Sequence, residues 1–146
     1  MQVFRQTEAE NAALVGWGVR VLLLSPNGGE GQGQVAARIA GFGGLIETES
    51  DVFAAVETLL GDATGYGLFV MECDAYGGIE AGRRVMAMMG RAAERMRVIL
   101  IGSDVGAQCF PDEPGQPILL RAPLSAVSLR VGFEHALRER LVYMAA

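Results

Sequence analysis

The chain contains no lysine, and all twelve of its basic residues are arginine. Arginine stays protonated and cannot act as a Schiff-base amine or a proton-transfer group, so every mechanism that requires a lysine is excluded. Two cysteines, Cys73 and Cys109, are too few for a disulfide framework or a structural zinc site. The single histidine, His135, falls on a helical stretch and reads as a packing or surface residue rather than the base of a Cys–His pair. No apolar run approaches the ~20 residues that cross a bilayer, so no membrane contact is expected. The opening MQVFRQTEAENAALVGWG has no basic region leading into an apolar one. That predicts no secretory signal and a cytoplasmic location. The net charge of −5 gives no electrostatic case for direct binding of nucleic acid.

What is present is a regular alternation. The 146 residues are 51% apolar, enough for one domain with its own core. Residues 1–18 read as an N-terminal arm, with a short helix at Glu8–Val15, and residues 19–146 as the domain. Strands are expected at Val19–Leu24, Leu45–Thr48, Leu68–Met71, Arg97–Ile101 and Ile118–Leu120, each a short aliphatic run suited to burial on both faces. Between them, helical spacing predicts a helix at Gln32–Ala40 and another capped by Asp51 and ending at Gly61. The second carries Val52, Phe53, Val56, Leu59 and Leu60 inward. A third helix is expected at Ile79–Met96, with Val85, Met86, Met88 and Met89 inward, and a last one at about Ser125–Tyr143. The stretch SDVGAQCFPDEPGQ between the fourth and fifth strands holds two prolines and two glycines. A loop with at most one helical turn is predicted there. The fold class is therefore α/β: a doubly wound, five-stranded parallel sheet with the fourth helix short or missing.

Three strings carry a family resemblance. Tyr66-Gly67-Leu68-Phe69-Val70-Met71-Glu72 resembles a third strand ending at a phosphoacceptor aspartate. Gly77-Gly78-Ile79-Glu80 resembles the turn and helix start that follow it, and Leu119-Leu120-Arg121-Ala122-Pro123-Leu124 resembles a fifth strand running into a lysine–proline pair. Their order and spacing are similar to the receiver domain of two-component response regulators (CheY-like), over roughly residues 19 to 143. The resemblance implies flavodoxin-like topology with strand order 2-1-3-4-5. It also implies a magnesium-assisted phosphoryl pocket at the carboxyl ends of the strands.

At the positions to which the resemblance points, the required groups are missing. The first-strand acidic positions read Ser25-Pro26-Asn27, which lack the anionic oxygens that magnesium favours, and Glu30 lies further along a Gly-rich loop. The phosphoacceptor position is Glu72, one methylene longer than aspartate, with Asp74 two residues on. Gly102, followed by Ser103, stands where a phosphate-sensing hydroxyl is implied. Ala122 occupies the lysine position, and strand alternation turns the neighbouring Arg121 to the other side.

These residues predict an atypical, degenerate receiver: a phosphorylation-independent, non-enzymatic module of two-component-type signal transduction in a bacterium. It would act through an unidentified protein partner or as a homodimer, with no cofactor, no metal and no catalytic residue. The resemblance implies association through the fourth and fifth units. The Met-bearing third helix, the last helix and the arm with Trp17 are other candidate surfaces. Two alternatives stand beside it. One is a response regulator that still accepts phosphate on Asp74 or Glu72. The other is a flavodoxin-like binder of a small ligand at the Gly28–Gly33 loop.

Overall fold

A computed structural model describes residues 18–26 and 33–138. The N-terminal arm, Asn27, Glu30, most of the glycine loop and the chain beyond Arg138 lie outside the described residues. Five strands form one parallel sheet in the order β2-β1-β3-β4-β5: β1 (Arg20–Leu24), β2 (Leu45–Glu49), β3 (Leu68–Glu72), β4 (Arg97–Gly102) and β5 (Ile118–Arg121). The helices are α1 (Gln34–Gly41), α2 (Val52–Gly61), α3 (Ile79–Met89), the single turn α4 (Ala92–Arg95) and α5 (Ala126–Ala136). Among the described residues no helix is long and apolar enough to cross a membrane.

Strand alternation divides the core in two. Leu22, Leu24, Phe69, Met71, Val98 and Leu100 face α2, α3 and α4. Val21, Leu23, Leu68, Val70, Ile99, Ile101, Ile118 and Leu120 face α1 and α5. Every residue of β1, β3 and β4 in these lists is buried, which accounts for the unbroken aliphatic runs in the sequence. Full burial of each Leu, Ile or Phe side chain contributes roughly 1.5–3 kcal/mol. These central strands therefore contribute a large share of the apolar burial, and the helices packed on both faces supply much of the rest.

Three details of the expected helices are corrected. The third helix is not continuous to Met96. It stops at Met89 because Gly90 has φ +57°, a positive φ that glycine adopts readily and that the helix cannot continue through, and a separate turn follows. Met88 is exposed while Val85 and Met89 face the sheet. In α2 the inward stripe is Ala55, Val56 and Leu59, whereas Phe53 and Leu60 are 71% and 51% exposed. At 100° per residue, positions 53 and 60 fall about a quarter-turn from that stripe, on the side of Glu57.

The β4–β5 connection contains no helix. It runs as a strap along the outer edge of β5, where Cys109 and Leu119 exchange backbone hydrogen bonds of 3.0 Å each. Arg97 donates to the Pro111 and Asp112 carbonyls. His135 of α5 contacts the Pro111 carbonyl at 2.9 Å and stacks edge-on against Phe110. The Arg121 guanidinium donates to the Val105 and Gly106 carbonyls. The prolines and glycines that prevent a helix thus leave carbonyls for three basic side chains to tie down.

Candidate functional site

The carboxyl ends of β1, β3, β4 and β5 meet on one side of the sheet, as in open α/β sheets that bind ligands there. A cleft of about 190 Å³ lies between them, lined by Pro26, Glu72, Asp74, Ala75, Ile101 and Ala122. It brings together four residues named from the sequence: Pro26, Glu72, Asp74 and Ala122. Ser25 sits just below, buried, with its amide bonded to the Glu49 carbonyl at 2.9 Å. Arg121 belongs elsewhere. With Gln108, whose side-chain oxygen accepts from its amide, it lines a neighbouring hollow next to Ser125 and Ser128. The Ala122–Pro123 peptide is cis.

The electrostatics of the cleft are one-sided. Two carboxylates line it, and no guanidinium does. A phosphoryl group placed there would face like charge with no cation against it. The Asp74 carboxylate is also already engaged, accepting the Ser103 amide at 2.9 Å. Magnesium seeks several hard oxygens in near-octahedral array. Among the described residues no group of three or more acidic, histidine or cysteine side chains is placed to hold a metal. Here Glu72 is left as the one uncommitted carboxylate among apolar walls, so the described residues do not fit a magnesium site.

A third carboxylate, not anticipated from the sequence, completes the arrangement. Asp104 follows β4 and accepts the Ile79 amide with both oxygens, at 3.2 and 3.3 Å, at the start of α3. It caps that helix from across the sheet, because Gly78 offers no side chain to do so. The slot it occupies exists only because two neighbours are glycine. A Cβ on Gly78 would lie 2.6 Å from one Asp104 oxygen, and a Cβ on Gly102 would lie 2.7 Å from the other and 3.0 Å from the Ile79 side chain. Asp74 and Asp104 thus form a reciprocal clamp. The loop after β3 holds the amide of Ser103, and the loop after β4 holds the amide of Ile79. The sequence signal for it was the pair of glycines at 78 and 102, with an aspartate two residues past the second.

The other chemical groups nearby are passive. Cys73 is fully buried, and burial pushes its thiol up to about 12, so it is not a nucleophile at neutral pH. Its Sγ lies 3.6 Å from the Met71 carbonyl. The Tyr76 hydroxyl donates to the Ser50 carbonyl at 2.6 Å and fastens the turn after β3 to the start of α2. Burial, then Glu72 and Asp51, raise its phenol above the ordinary range.

Solved structures share this architecture. The chain is similar to a response regulator receiver domain protein from Bacillus halodurans C-125, with a TM-score of 0.58 and 10% identity over 82% of this chain and 97% of that one. It is also similar to the response regulator PhyR from Brucella abortus, with a TM-score of 0.57 and 12% identity over 99% of this chain and 58% of that one. The domain is receiver-like in fold. No protein-family model matches the sequence, and no curated protein does. Within this receiver-like fold the expected strand order is present, and the connection after β4 has no helix. At the strand ends Ala122 and Glu72 share the cleft, and the Gly102 backbone leaves room for Asp104.

Proposed function

We propose that this chain is a signalling module of receiver-like fold that works without phosphorylation, through contact with a protein partner. The observation that carries the reading is the state of Asp74. The aspartate best placed to take a phosphoryl group spends an oxygen on the Ser103 amide, in a cleft lined by no cation. Phosphoryl transfer depends almost entirely on positioning and on stabilising developing negative charge. Glu72 and Asp74 would oppose that charge, and no lysine exists anywhere in the chain to offset it. The strap supports contact-based signalling on a surface other than the one the family commonly uses. It fills the place of the fourth-unit helix with backbone held by Arg97, Arg121 and His135.

The test is an amide NMR titration of the full chain with magnesium and beryllofluoride, a surrogate for a carboxylate-bound phosphoryl group. The spectrum is expected to stay unchanged. Saturable shifts centred on Glu72, Asp74 and Ser103 would overturn the reading in favour of a regulator that still accepts phosphate.

A further inference from the structure

The arginines of this acidic chain divide sharply by location. Six of those described hold a carboxylate or a backbone carbonyl: Arg20, Arg38, Arg97, Arg121, Arg130 and Arg138. The other four, Arg83, Arg84, Arg91 and Arg95, make no hydrogen bond or ion pair among the described residues. All four lie on the continuous segment of α3 and α4, and all are exposed. A guanidinium is a rigid fork of donors suited to carboxylates, so four without partners among the described residues, on one segment of a chain of net charge −5, form a local reversal of sign.

Two of these arginines flank a groove. Between α3, α4 and the residues entering β5 lies an open depression of about 540 Å³. Its floor is apolar, formed by the half-buried Met86 and the buried Ala93 and Pro117, and its rim carries Arg83 and Arg91 with a single acid, Glu94. One wall is the strap, fixed by the Gln116–Glu113 turn and by Arg97 on the Asp112 carbonyl. The groove therefore borders the connection that carries no helix. Methionine supplies a polarisable surface that adapts to differently shaped apolar side chains.

Resting on the contact-module reading above, we propose that this groove is the docking site for an acidic peptide segment of the protein partner. Apolar side chains of the segment would sit on Met86, Ala93 and Pro117, and its carboxylates would meet Arg83 and Arg91. Charge complementarity selects this occupant. A second copy of the chain would bring further net negative charge overall, and nucleic acid would meet Glu94 and no aromatic stacking surface in the groove.

The experiment selects binders for the full chain from a random dodecapeptide display library and maps the strongest by amide NMR. The expected peptides combine aspartate or glutamate with spaced apolar residues, and they shift the amides of α3, α4 and residues 115–117. Arg83→Glu and Arg91→Glu are each expected to weaken that peptide at least about tenfold. Arg130→Glu, on α5 and already facing Glu134, is expected to leave it unchanged. Both groove arginines are exposed and unbonded, so the variants are expected to unfold at the wild-type temperature, which circular dichroism checks. Neutral or basic peptides, shifts mapped to another surface, affinity indifferent to both reversals, failure to select any binder, or equal binding by oligothymidylate would each overturn the proposal. These outcomes are separate from the beryllofluoride titration, which alone bears on phosphorylation independence.

Discussion

Replacing Asp104 by alanine is expected to loosen the start of α3 and the loop after β4 together. The carboxylate accepts the Ile79 amide at 3.2 and 3.3 Å and is solvent-exposed, so its contribution belongs at the modest end for a helix cap. Losing the cap costs about 1 kcal/mol, and losing an anion beside the positive end of α3 adds roughly 0.3–1 kcal/mol. The sum, about 1–2 kcal/mol, corresponds to a fall in Tm of roughly 3–6 °C for a domain of this size. Geometry adds a sharper requirement. Alanine at Gly102 would place its Cβ 2.7 Å from the same carboxylate, so Gly102→Ala is expected to evict Asp104 and destabilise by a similar amount. In an Asp104→Ala background that clash is gone, and only the 3.0 Å approach to the Ile79 side chain remains. The double variant is therefore expected to be about 1 kcal/mol more stable than the sum of the singles. Urea unfolding followed by circular dichroism measures the cycle, and hydrogen exchange at the Ile79 amide reports the cap itself. Additivity within about 0.3 kcal/mol, or unchanged exchange at Ile79, would refute the account of Asp104 held between two glycines.

Glycine substitutions elsewhere are expected to differ in sign. Gly82→Ala puts a Cβ 2.9 Å from both the Cys73 sulfur and the Leu100 methyls, an overpacking of about 1–3 kcal/mol that outweighs its helix-propensity gain, whereas Gly41→Ala meets nothing within 4 Å and stabilises by roughly 0.5 kcal/mol. Chemical denaturation of the two variants compares them directly. In the native chain a thiol reagent is expected to modify exposed Cys109 quickly and buried Cys73 only after unfolding, as a stopped-flow disulfide-exchange assay reads out. Stability is expected to fall between about pH 9 and 12. Burial raises Cys73 and Tyr66 to about 12 and raises Tyr76 too, so the folded chain retains protons that the unfolded chain releases. Urea midpoints measured from pH 8 upward test that slope, and Cys73→Ala is expected to flatten part of it.

The strands were legible because β1, β3 and β4 are buried on both faces, and such strands must be continuous aliphatic runs. The missing helix before β5 was legible for the opposite reason, since prolines and glycines forbid it locally. Less could be read where a residue's role depends on distant neighbours. Gly90 lies within an otherwise helical pattern, and only its positive φ separates α3 from α4. Phe53 and Leu60 are apolar at almost helical spacing from the core stripe, so periodicity alone placed them inward. In the cleft, the meeting of Glu72, Asp74, Pro26 and Ala122 follows from parallel strands ending together, which the strand pattern implied. The role of Asp104 is marked in the sequence only by the glycines at 78 and 102, which lie far apart along the chain. Its partners at 78, 79 and 102 come together only after β3 and β4 pair.

The strap over β5 has a further consequence for how copies of the chain meet. An edge strand with free backbone groups is a template for pairing with another chain. Here the Leu119 amide and carbonyl are both taken by Cys109, in antiparallel sense, so that edge offers an interrupted backbone to a neighbour. The opposite edge, β2, presents Glu47, which is paired with Arg20, and Glu49, charged side chains of the kind that discourage edge-to-edge pairing. Both margins of the sheet are thus poorly suited to continuation, one by occupancy and one by charge, which disfavours strand-by-strand growth from the folded state.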